Sequence, residues 1–158
     1  MIVFSNTTPI IALSSIQCLH FLPELFGEIH LVTEVIDECA AGGPISVPAL
    51  QEIEWIKPVQ STPIQHTSVL LELDKGEKHT LDMASKYRAD WVIIDEKIGR
   101  NMAEYLGLRV TGTLGILLKA KQQGLIPSFT GSVKAMQAQG IYYQTNLITK
   151  LAQTVVEG

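Results

Sequence analysis

Four consecutive residues with no polar member, Trp91-Val92-Ile93-Ile94, constrain the fold of this chain more than any other feature. A strand without polar alternation has to be covered on both faces, which is the condition of a strand inside a parallel sheet. Parallel neighbours cannot be joined by a tight turn, so each pair needs a crossover, usually a helix. Three other short apolar runs fit the same plan: Ile2-Val3-Phe4, Glu28-Ile29-His30-Leu31-Val32 and Leu108-Arg109-Val110-Thr111. Each run is followed by a helix-start signal. Thr8-Pro9 offers an N-cap with proline at the first helical position. Thr33 can cap a helix over Glu34–Ala41 that Gly42-Gly43-Pro44 stops, and Asp95 one that Gly107 closes. Gly112-Thr113 opens Leu114–Gln123, and Asp74 introduces Lys75–Tyr87. Strand–helix alternation at this density specifies an α/β domain with a central parallel sheet.

The segment 42–70 is broken by Pro44, Pro48, Pro58 and Pro63, with a helix expected at Pro48–Trp55. Residues 128–156 read as two helices parted near Gly140. With 158 residues the chain is read as one domain, 1–158. Hydrophobic residues make up 46% of it, and this surplus suggests an apolar patch left for a partner. No run approaches the roughly 18–20 apolar residues of a membrane span. The apolar stretch Pro9–Leu22 has no Lys or Arg before it, so a secretory leader is not expected. Cys18 and Cys39 form no CxxC or Cys/His pattern and read as thiols of a cytoplasmic protein.

Charge is distributed unevenly. Residues 1–74 carry a net charge of −8, with Lys57 as their single base, whereas residues 75–158 carry +4. Solvated helix faces account for much of this, yet such polarity also allows a basic face beside an acidic pocket.

In an open parallel sheet, sites form at the carboxyl edge of the strands. The polar residues placed there are Asn6, Thr33 with Glu38, Asp95-Glu96 and Gly112-Thr113, and Glu77 joins them if its helix begins at the same edge. Converging carboxylates repel one another unless a cation or a proton intervenes. An oxygen-only donor set, without paired His or Cys, points to Mg²⁺ or Mn²⁺ and suits metal-assisted phosphodiester hydrolysis. Each residue also has a duller reading. Asp95 and Thr113 can serve as N-caps, Asn6 as a cap or turn residue, and Asp74 with Glu77 as a capping box. On a helical wheel Glu38 falls at the edge of the apolar face formed by Val35, Ile36, Cys39 and Ala40, where it can pair with a neighbouring base. His20, His30, His66 and His79 lack metal-ligand spacing and are assigned no role.

These motifs occur in a familiar order. Ser5-Asn6-Thr7-Thr8-Pro9-Ile10-Ile11-Ala12-Leu13 resembles the opening strand and turn of PIN-domain proteins. Val35-Ile36-Asp37-Glu38, Gly76-Glu77 through Ala84, and Ala89-Asp90 through Lys97 are similar to the family's second, third and fourth acidic motifs. The run from Gly107 through Gly112-Thr113-Leu114-Gly115 to Lys121 resembles a prokaryotic, toxin-like branch. The resemblance implies a three-layer α/β/α sandwich, divalent-metal-dependent endoribonuclease chemistry, homodimerisation and pairing with a small antitoxin. One residue departs from the pattern: Asn6 stands where the family usually has its first aspartate.

The resulting expectation is a cytoplasmic PIN-like nuclease acting on RNA, or on DNA. Asn6, Glu38, Glu77 and Asp95 are the expected ligands of Mg²⁺ or Mn²⁺, with Glu96 assisting them in catalysis. Lys97 and Arg100, one helical turn apart, are the candidate substrate contacts, and Thr113 either positions the site or touches a phosphate. Two alternatives stand beside it. One is a PIN-like module that binds nucleic acid or protein without cleaving. The other is a phosphohydrolase of small molecules, which no glycine-rich phosphate loop supports.

Overall fold

In the computed structural model, which describes residues 1–65 and 67–157, the strands are β1 (Val3–Ser5), β2 (Ile29–Val32), β3 (Ile56–Val59), β4 (Trp91–Ile93) and β5 (Val110–Thr111). His66 lies outside the described residues. The strands form one sheet in the order β3-β2-β1-β4-β5, every pairing parallel, with Phe4 opposite His30 on one side and Val92 on the other. Helices α1 (Thr7–Ser15) and α2 (Phe21–Phe26) connect β1 to β2, and α3 (Thr33–Ala40) follows β2. Helices α4 (Thr67–Leu70) and α5 (Lys75–Lys86) precede β4, and α6 (Lys97–Tyr105) links β4 to β5. After β5 come α7 (Thr113–Gln122), α8 (Phe129–Ala138) and α9 (Thr145–Thr154). The result is an α/β/α sandwich around a wholly parallel sheet.

Coverage on both faces explains the uniform apolarity that marks β4. Val92, Ile93 and the following Ile94 are fully buried, as are Val3 and Phe4 of β1 and Leu31 and Val32 of β2. Each such side chain contributes roughly 1.5–3 kcal/mol by leaving water. Left-handed glycines end α6 and α7, Gly107 at φ 80° and Gly124 at φ 74°, as the punctuation of the sequence anticipates.

One expected helix is reduced, and β3, α2 and α4 are elements that the sequence reading does not contain. The helix expected over Pro48–Trp55 is reduced to one 3₁₀ turn, Leu50–Glu52, and the chain then enters β3. That strand carries Pro58 because it is an edge strand, where a missing N–H breaks no ladder on its solvent side. Helix α2 carries Pro23 within its first turn, where the backbone N–H would have no intrahelical partner. Four caps also shift, among them that of α7, where Gly112 is the N-cap and Thr113 the first helical residue. Asn6, Val32 and Glu96 occupy the N-cap positions of α1, α3 and α6 in place of Thr8, Thr33 and Asp95. The cap of α5 is Asp74, whose Oδ1 accepts from the Glu77 amide at 2.9 Å.

Cys39 is buried and Cys18 partly so, both as free thiols, and burial together with the Glu38 charge pushes Cys39 up to about 12. Among the described residues no helix is long and apolar enough to cross a membrane.

The strand order has one reversal. The chain leaves β1 toward β2 and β3, then returns to the opposite side of β1 for β4 and β5. The crevice at the carboxyl ends of β1 and β4 is therefore the topological switch point, where open α/β sheets place their ligands.

Candidate functional site

Asn6 follows the last residue of β1, and its amide donates to the Ile93 carbonyl at 2.9 Å, which fixes it at the switch point. It is 4% exposed. Although it occupies the N-cap position of α1, its side chain makes no capping hydrogen bond, and Oδ1 is buried without a partner among the described residues. The capping reading of Asn6 is thereby removed. An orphaned buried carbonyl oxygen costs roughly 1–3 kcal/mol, a cost natural sequences tolerate mainly where a ligand or water completes the site.

Thr7 comes next and starts α1. Its hydroxyl donates to Glu38 Oε2 at 2.6 Å, tying α3 to α1 at this edge. On its other side Glu38 lies against the first turn of α5. A Cβ built on Gly76 would stand 2.5 Å from Glu38 Oε1, so only glycine lets the carboxylate occupy that place. Gly76→Ala is thus expected to free Glu38 from Thr7 while costing the fold little, since Ala favours a helix by about 1 kcal/mol and the displaced atom ends a flexible side chain. A melting midpoint equal to or above wild type, with roughly tenfold weaker Mn²⁺ binding by calorimetry, is the expected pair of results.

Glu77 is the buried acid of the group, 8% exposed. Burial first, then the adjacent Asp74 carboxylate and the charges of Glu96 and Glu38, pushes its carboxyl up to about 8. Near neutral pH it therefore holds a proton that an ordinary glutamate would have lost. Gly99 of α6 is packed beside it: a Cβ there would sit 3.1 Å from Glu77 Oε2. So the first turns of α5 and α6 meet at this residue.

The two acids after β4 take separate tasks. Glu96 is exposed and caps α6, its Oε2 accepting from the Gly99 amide at 2.8 Å. Asp95 turns the other way, to the start of α7. Its Oδ1 accepts from the Thr113 amide at 2.7 Å, and its Oδ2 from the Thr113 hydroxyl at 2.8 Å and the Tyr143 hydroxyl at 2.9 Å. Burial and the Asp95 charge push the Tyr143 phenol well above its ordinary value, so it stays a donor. Thr113 is fully buried, its hydroxyl and amide both spent on Asp95. Lys97 and Arg100, from the first turn of α6, line a cleft of about 500 Å³ that Asp95, Gly112, Leu147 and Tyr143 also line.

Asn6, Glu38, Glu77 and Asp95 thus lie along the carboxyl edge of the sheet. Electrostatics link Glu77 to Glu38 and Glu96, and Thr7 links Glu38 to α1. Among the described residues no three His, Cys, Asp or Glu side chains stand close enough together to hold a metal ion. The donor chemistry nevertheless fits a hard cation: oxygens only, one of them an orphaned amide carbonyl, beside a carboxyl that burial and then its neighbours' charges push up. Thr7, Gly76 and Tyr143 were not singled out from the sequence. Gly76 had a legible signal, because a glycine inside a helical pattern marks a close approach. Tyr143, 48 residues from Asp95 in the chain, had none.

No curated protein and no solved structure matches the chain. A family model described as a PIN domain matches residues 2–157. A match over nearly the whole length, on a wholly parallel α/β/α sheet, shows that the chain belongs to the PIN-domain family.

Proposed function

We propose that this PIN-domain protein is a divalent-metal-dependent endoribonuclease. The observation that carries the reading is the buried, unpartnered Asn6 Oδ1 at the switch point, next to an edge that holds Glu38, Glu77 and Asp95. Asn6, Glu38, Glu77 and Asp95 would hold the cation. When bound, Mg²⁺ or Mn²⁺ supplies positive charge for the phosphate oxygens and acidifies a water for attack. The chain's own residues do the rest. Thr7 and Thr113 fix the carboxylates of Glu38 and Asp95, so no reorientation is needed on binding. Glu77 surrenders its proton as positive charge arrives, which couples binding to pH. Glu96 keeps one carboxylate oxygen beyond its cap for a supporting contact. Lys97 and Arg100 draw the phosphodiester strand to the cleft beside Asp95.

The test is a labelled single-stranded RNA incubated with Mn²⁺, Mg²⁺ or a chelator. Slow internal cleavage is expected, better with Mn²⁺, absent in chelator, with mononucleotides left intact. Reversing Lys97 and Arg100 to Glu should weaken binding alike for all sequences and lower the log–log salt slope by about 0.7 per lost phosphate contact. Binding with that salt slope but no cleavage under any metal would favour the second reading, a non-cleaving module. The neutral Asn6 is the observation on that side. Failure to bind any oligonucleotide would overturn the nuclease reading and the nucleic-acid form of the second, leaving a module that binds protein.

A further inference from the structure

We propose that Tyr143 is a positioning residue for Asp95, delivered by the α8–α9 hairpin and holding that carboxylate so that a single lone pair on Oδ1 stays open to a ligand. The inference rests on Asp95 being a ligand of the proposed cation. An ionised carboxylate has about four acceptor sites, two on each oxygen. Asp95 Oδ2 accepts from two hydroxyls, Thr113 and Tyr143, and is saturated, while among the described residues Oδ1 accepts only from the Thr113 amide. Without the Tyr143 hydroxyl, Oδ2 keeps one donor in place of two, and the carboxylate is held by Thr113 alone.

The segment that carries Tyr143 runs between the closing turn of α8 and the opening turn of α9. The Ile141 amide donates to the Met136 carbonyl near the end of α8 at 3.0 Å, and the Ile148 amide to the Gln144 carbonyl at 3.1 Å. At the far end of the hairpin, the Glu157 carboxylate accepts from the Phe129 and Thr130 amides at 2.8 and 2.9 Å and from the hydroxyls of Ser128 and Thr130. Lys121 stands 3.6 Å from the same carboxylate. The end of α9 is thereby tied to the start of α8. Tyr143 also forms part of the wall of the Asp95 cleft, so its ring meets whatever enters there.

The experiment uses the full chain with Tyr143→Phe, which keeps the ring and removes only the hydroxyl. Mn²⁺ is titrated calorimetrically into both proteins, and exchange of the Thr113 amide is followed by NMR. Mn²⁺ affinity should fall about tenfold, the scale on which supporting hydrogen bonds to a ligand act, and the Thr113 amide should exchange faster. A lower melting midpoint with unchanged Mn²⁺ affinity would show a merely structural hydroxyl and overturn the proposal. Tighter Mn²⁺ binding would also overturn it, because the hydroxyl would then be a competitor of the cation. If the wild type binds no Mn²⁺, the cation reading of the site fails. The Thr113 exchange rate then decides by itself: faster in the variant supports the positioning role, and an equal rate overturns it.

Discussion

Glu77→Gln is expected to make the metal-free protein more stable at pH 8 while lowering RNA cleavage by roughly two to three orders of magnitude, the loss typical of removing one charge-stabilising group from a water-poor site. The opposition of signs follows from where the carboxyl sits. Its ordinary value is 4.5, and in the fold burial and the neighbouring carboxylates push it up to about 8. Below pH 4.5 both folded and unfolded chains hold the proton, and Glu77 costs nothing. Between 4.5 and 8 folding takes up a proton, so stability falls with each step in pH; above 8 the loss is complete. Glutamine has the same shape and no charge to bury. The variant's advantage should therefore be absent at pH 4, grow through neutrality and level off above pH 8. Local relaxation around the carboxylate offsets part of the effect, which leaves at least about 1 kcal/mol, or a midpoint shift of at least about 2–4 °C for a chain of this length. Saturating Mn²⁺ should reverse the order, since only the wild type gains the roughly 2.7 kcal/mol available at a hundred times the dissociation constant. Wild-type binding near pH 7 should also release close to one proton, visible as a heat that varies with the buffer's ionisation enthalpy. Equal melting midpoints for the two proteins at pH 4 and pH 8 would show that Glu77 is not held against its charge.

The parallel sheet was readable because its signal is local. Trp91 to Ile94 has no polar residue, and Asp74, Gly107 and Gly124 punctuate the chain as helix boundaries usually do. What the sequence concealed depends on position in the assembled fold. Pro58 speaks against a strand until β3 is known to lie at an edge. The acids were legible as a set, through their order along the strands' carboxyl ends. Their division of labour was not. Either residue of Asp95-Glu96 can cap a helix, and local propensity favours Asp. The fold gives the cap to Glu96 because Asp95 finds three donors from elements 18 and 48 residues away. Contacts of that kind leave no trace in a local pattern. Glu38 shows the converse. Its residue is exposed, which a burial argument would discard, yet Thr7 and the glycine gap at Gly76 fix its carboxylate at the edge.

Asn6→Asp should tighten Mn²⁺ binding about ten- to a hundredfold and lower the melting midpoint of the metal-free protein. The amide oxygen now at this position contributes a dipole, whereas a carboxylate contributes a full charge. One unit-charge pair at 4 Å is worth about 4 kcal/mol at an effective dielectric constant of 20, before the cost of placing another acid near Glu38 and Glu77 is deducted. In the metal-free protein that cost stands uncompensated. Asn6 is 4% exposed, and its Oδ1 has no donor that an anionic oxygen could exploit. The same absence separates this outcome from a capping effect. A side chain that capped α1 would exchange Asn for Asp with little change in stability, but Asn6 makes no such bond. The two halves of the prediction therefore share one cause and must appear together: a new buried charge that only a cation satisfies. Mg²⁺ gains most from the change, because it demands near-octahedral oxygen geometry and gives up water reluctantly. The ratio of Mn²⁺- to Mg²⁺-supported cleavage should accordingly fall in the variant. Calorimetric titration of both metals, thermal melts without metal and cleavage of one labelled RNA measure all three quantities on the same pair of proteins. Unchanged metal affinity together with an unchanged metal-free midpoint would place the Asn6 side chain outside the site.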